Sequence, residues 1–95
     1  MEGRASISAD ILARYAGDAA REAAGVRALV GRHGAKVSEA GGTVNVELHL
    51  DLAWGASIPD VGRDVQARVS EYLGRMADLV PAAVEVVVDR VGPAP

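Results

Sequence analysis

Cysteine and phenylalanine are both absent from the 95 residues, and the aromatic side chains amount to one tryptophan and two tyrosines. Without cysteine there is no disulfide, no thiolate metal ligand and no cysteine nucleophile. Without phenylalanine, the apolar half of the chain, 49% of its residues, must pack through small and β-branched side chains. Such side chains each bury less area, at about 25 cal/mol per Å². A short domain with so thin a core is expected to gain stability from a partner or from self-association. Positive charge is scarce too: ten Lys and Arg stand against thirteen Asp and Glu, a net charge of −3. No basic block occurs, so the electrostatic footprint of a nucleic-acid binder is missing. No apolar run reaches the roughly 20 residues that span a bilayer, and the Met1-Glu2-Gly3-Arg4 start does not read as a signal peptide. The expected location is the cytoplasm, with membrane association only through another protein.

What remains is the composition of an ordinary globular domain. One domain over residues 1–95 is expected, ordered from about 4 to 91, with a flexible tail at 92–95. Gly3 to Ile7 reads as a short strand. Ser8 then reads as an N-cap, with Asp10 in the first turn and Ile11, Leu12, Tyr15, Ala16, Ala19 and Ala23 at helical spacing. Gly25 is the expected stop of that helix. Residues 26–34 fit a turn of helix or a short strand. The stretch AKVSEA follows, then Gly41-Gly42, then TVNVELHLDL, in which Val44, Val46, Leu48, Leu50 and Leu52 alternate with polar residues. Strict period-two alternation is a strand signal, and paired glycines between two extended segments read as a hairpin turn. Ser57 caps a second helix whose stripe runs Val61, Val65, Val69, Tyr72, Leu73, and Pro81 is its expected stop. Val84 to Val91 completes the pattern as a last strand. The order β-α-β-β-α-β predicts an α/β (α+β type) two-layer sandwich, with two helices on one face of a small mixed sheet.

The ordered set of these segments resembles the alkaline shock protein family of Gram-positive bacteria. The carriers are GRASISADILARYAGDAA, then Gly25-Val26-Arg27-Ala28-Leu29, then VNVELHLDLAWGASIPDVGRDVQARV, then the valines at 84, 86, 88 and 91. The third is the densest, with Gly55, Ile58, Val61, Val65, Gln66 and Val69 at the family's positions. Trp54 departs by standing where a tyrosine is usual, and the middle segment is short and alanine-rich. The resemblance implies a non-catalytic interaction or scaffold protein of the envelope stress response, at or near the cytoplasmic face of the membrane. It also implies a protein partner, such as a small membrane-anchored protein, and a homo-oligomer is a further expectation. The family has no established catalytic residues, so none are carried over and no cofactor is implied.

Residue chemistry adds few rival readings. Gly31-Arg32-His33-Gly34, followed by Lys36, resembles the Gly-x-x-Gly loop with which KH-type domains clamp an RNA backbone. Two glycines allow close backbone approach and the cations neutralise phosphates, but a KH loop joins two helices. The alternative function is therefore RNA binding through this loop. His33 and His49 lack the helical spacing of a metal pair. The serines lack a nucleophile elbow, which leaves no catalytic constellation and predicts a protein that is not an enzyme. Alternation places Glu47, His49 and Asp51 on one sheet face, and Glu85 and Asp89 can join them from the last strand. Such a face suits a basic partner segment or a cation. Trp54, at a strand end, is the natural anchor of a contact surface, although Tyr15, Trp54 and Tyr72 together also read as core.

Overall fold

The computed structural model describes residues 7–32 and 34–93. Ser8 has extended dihedrals, and its hydroxyl accepts a hydrogen bond from the Ile11 amide at 3.2 Å, satisfying one of the unpaired donors of a helix start. The helix α1, Ala9–Arg21, buries Leu12, Ala16, Gly17, Ala19 and Ala20. It ends at Arg21 rather than at Gly25. A short turn follows, and Gly25, at φ 91°, swings the chain into the sheet, where a Cβ would meet Val61 Cγ2 at 2.9 Å.

The ambiguous segment resolves into a strand and a bulge. Strand β1, Val26–Leu29, and strand β2, Ala35–Ala40, lie end to end along the same edge of β3, Thr43–Ala53. Their registers are Val26↔Leu52 to Leu29↔Leu50, then Ala35↔Leu48 to Ala40↔Thr43. His49 faces the gap. Its carbonyl accepts from the Val30 amide at 2.8 Å and its amide donates to the Gly34 carbonyl at 2.7 Å, so one residue closes the bulge at both ends. The β2–β3 hairpin turns on Gly41 and Gly42, both at positive φ as a two-residue type I′ turn requires.

Ser57 opens the helix α2, Ile58–Ala77, by accepting from the Asp60 amide at 3.4 Å. Its end is set by Asp78 in the left-handed region, before the chain reaches Pro81. The strand β4, Ala83–Gly92, then pairs in parallel with the other edge of β3, from Asn45↔Ala83 to Ala53↔Gly92, with an irregularity between Leu50 and Asp51. The sheet is therefore mixed. Both helices cover one of its faces, and Leu12, Ala16, Ala20, Val65, Val69 and Leu73 meet Val46, Leu48, Leu50 and Leu52 in a single core.

The described order is α-β-β-β-α-β. Of the expected first strand, residues 3–6 lie outside the described residues and Ile7 is in no strand. Among the described residues the fourth strand is Val26–Leu29. Of the expected tail, Gly92 ends β4 and residues 94–95 lie outside the described residues. Tyr15 and Tyr72 meet edge to face at 5.8 Å between the helices, partly buried as expected. Trp54 does not join them: it is 68% exposed at the end of β3.

Candidate functional site

The uncovered face of the sheet is written by the odd-numbered residues of β3. Because Val44, Val46, Leu48, Leu50 and Leu52 turn to the helices, Asn45, Glu47, His49 and Asp51 must turn away from them. Parallel pairing sets Glu85 beside Glu47, and the irregularity after Leu50 brings Asp89 to His49.

His49 sits between two carboxylates. Its Nδ1 lies 2.9 Å from Asp89 Oδ2 and its Nε2 lies 2.5 Å from Glu47 Oε2. A neutral imidazole carries one N–H, so it can donate to only one of them; the imidazolium donates to both. The hydrogen bonds to Glu47 and to Asp89 therefore raise the His49 pKa above its ordinary 6.5, against a smaller opposing effect of desolvation. In its imidazolium form the ring keeps no lone pair for a metal. Its two nitrogens also face separate carboxylates, and no group of three His, Asp or Glu among the described residues is placed to hold a metal ion.

Asp51 is more deeply set, with 13% of its side chain exposed. Its Oδ1 is buried without a hydrogen bond, and the Arg27 guanidinium lies 3.6 Å away, close enough for charge but long for a hydrogen bond. Arg27 reaches that position by lying over Gly92, where a Cβ would overlap the guanidinium. Sequence reasoning missed this link, because pairing a β1 arginine with a β4 glycine needs the strand register. It also gave Gln66 no structural role, whereas the Gln66 amide donates to the Val84 carbonyl at 3.1 Å and ties α2 to β4. Trp54, beside Gly55 at φ 88°, follows the strand as an exposed aromatic.

The glycines of the Gly31–Gly34 loop have backbone reasons of their own. Gly31 sits at φ 76°. A Cβ on Gly34 would meet Leu29 Cβ at 2.8 Å and the Val30 carbonyl oxygen at 2.9 Å. The loop joins two strands, not two helices. Lys36 pairs with Glu47 in register and lines the open face with Ser38, Asn45 and Glu85, whereas Arg32 lines the α1 side with Arg14 and Arg21. The sheet thus separates Lys36 from Arg32, and His33 lies outside the described residues.

Residues 31–93 match the sequence profile of the alkaline shock protein family, described as having a cell envelope-related function. A search of curated protein sequences finds no match. Among solved structures, a manganese form of a MamM CTD variant superposes with a TM-score of 0.57 at 12% identity, covering 85% of this chain and 96% of that chain. MamM-CTD 215-293 gives 0.58 at 10% identity, over 85% and 96% of the two chains. A zinc form of a further variant gives 0.58 at 10% identity, over 85% and 84%. At such identities the likeness establishes a shared fold and nothing more. No helix among the described residues is long and apolar enough to cross a membrane.

Proposed function

This chain belongs to the alkaline shock protein family, whose function is cell envelope-related, and from that membership we propose a non-catalytic interaction protein of the envelope stress response. It acts at or near the cytoplasmic face of the membrane, through protein–protein contacts. The observation that carries this reading is the uncovered sheet face, where Glu47 and Asp89 hold His49 between them and Glu85 stands beside Glu47, with Trp54 exposed at the end of the same strand. Carboxylates fixed on a rigid sheet attract cationic side chains, and an exposed tryptophan adds a large apolar contact. The partner that fits is a protein presenting a basic segment, such as a small membrane-anchored protein.

The zinc and manganese forms of the MamM CTD structures raise a cation reading as an alternative. The geometry gives it little support, since His49 spends both nitrogens on hydrogen bonds. Self-association is a second part of the proposal, supported by the two sheet edges left open among the described residues: there β4 pairs on one side alone, and so do β1 and β2.

The test is cross-linking and affinity purification from host cells, comparing the wild type with Trp54→Ala and with Glu47→Lys combined with Asp89→Lys. Loss of one envelope protein in both variants, with salt-sensitive binding of the purified pair, is the expected result. A partner retained equally by both variants would remove this face from the reading.

A further inference from the structure

The groove between α1 and the Val30–Gly34 bulge, on the helix side of the sheet, gathers charge that the open face does not use. Arg14 and Arg21 stand seven residues apart on one stripe of α1, and Gly17 lies between them. Arg32 approaches from the bulge, and with Asp10 and Leu29 these residues line a cavity of about 310 Å³. The floor is tight. A Cβ on Gly17 would meet Leu29 Cδ1 at 2.9 Å, and Arg21 Nη1 lies 3.9 Å from that same point, so the guanidinium rests over the glycine.

The charges are unevenly matched. Arg21 bonds Asp18 at 3.0 Å, while Arg14 and Arg32 make no salt bridge with any described residue. Three guanidinium groups thus share one cavity in a chain of net charge −3. Asp10 shares the lining and Asp18 answers Arg21, so the groove keeps a cationic excess at Arg14 and Arg32, and the planar guanidinium fork matches the oxygens of a phosphate. Gly31, at φ 76° with no atom within 4 Å of a would-be Cβ, leaves the loop backbone open on the same rim.

We infer that this groove binds a single phosphate group, as a phosphomonoester or phosphodiester carried by a small ligand or a lipid headgroup. A single group fits better than a nucleic-acid strand. Asp10 and Asp18 stand along the same helix with Glu22 at its C-cap, and Lys36 is on the other side of the sheet, so no track of cations leads a polyanion onward.

The experiment titrates the full chain with inorganic phosphate, following backbone amide shifts at Gly17 and Gly31. Parallel arms use vesicles of phosphatidylglycerol, vesicles of phosphatidylcholine, and single-stranded RNA. Arg14→Gln combined with Arg32→Gln is the test variant, both positions being exposed, and Arg68→Gln on α2 is the control; circular dichroism checks that each is folded. Saturable shifts are expected at the groove, weakened about tenfold or more in the double variant and unchanged in the control. Salt-sensitive binding to phosphatidylglycerol that the double variant loses would make a lipid headgroup the source. Phosphate binding without vesicle binding would make it a small phosphorylated ligand. Absence of any response to both phosphate and phosphatidylglycerol overturns the inference, and so does an equal response in the folded double variant. RNA binding that depends on Arg32 and that phosphate fails to displace overturns it in favour of nucleic acid. A partner lost through the Trp54 face leaves every one of these outcomes unaffected.

Discussion

At His49, short contacts to carboxylates at both ring nitrogens favour the charged ring, and this has a consequence for stability. A folded-state pKa raised above 6.5 means that the native protein holds the proton more tightly than the unfolded chain does. The stabilisation is therefore fully present below about 6.5 and is lost as pH rises through the folded pKa. Thermal melts of the wild type and His49→Gln should differ most below that value and converge above it. A proton-resonance titration of the ring should give a pKa above 6.5 that falls back in Glu47→Gln and in Asp89→Asn. At Gly92 the prediction is steric: alanine there displaces Arg27, which is the salt-bridge partner of the buried Asp51 oxygen among the described residues. Urea denaturation should register a loss of about 1–3 kcal/mol, in line with an uncompensated buried polar group. Alternation along β3 already put His49 on one face with Glu47 in the sequence, whereas nothing there marks Gly92, whose neighbour Arg27 lies far along the chain.

At the level of elements, periodicity carried most of the information. The ten-residue alternation around His49 located β3 and assigned both of its faces correctly, since the pleat admits one register in which five aliphatic residues are buried together. Leu50→Ala should cost about 2–5 kcal/mol in chemical denaturation, whereas Ile11→Ala, at a position 44% exposed, should stay within about 0.5 kcal/mol. Ser57→Ala removes one cap and should cost about 1 kcal/mol. The segment from Val26 to Gly34 was illegible for a physical reason. Its strand is four residues long, its bulge is closed by the backbone of His49, and neither leaves a periodic trace. The Gly31–Gly34 spacing suggested a phosphate clamp by analogy with KH domains, but both glycines answer to the bulge. The cationic groove that does form there draws two of its arginines from α1.

At the scale of the molecule, the helices shield one sheet face, and among the described residues the other face is bare and both sheet edges are unpaired. Sedimentation velocity at micromolar concentration should therefore report a species larger than the monomer, and a stable monomer would remove self-association from the proposal. The sequence by itself determined the two helices, their serine caps, the hairpin, the inward face of β3 and the family, because each is encoded by local spacing of polar and apolar residues. Only the tertiary structure decided that β1 and β2 share one edge, that Asp89 reaches His49, that Arg27 needs Gly92, and that Lys36 and Arg32 lie on opposite sides. Those facts depend on strand register and on one irregularity in the parallel pairing, which place residues far apart in the chain within hydrogen-bonding distance. No spacing along a single segment carries that information.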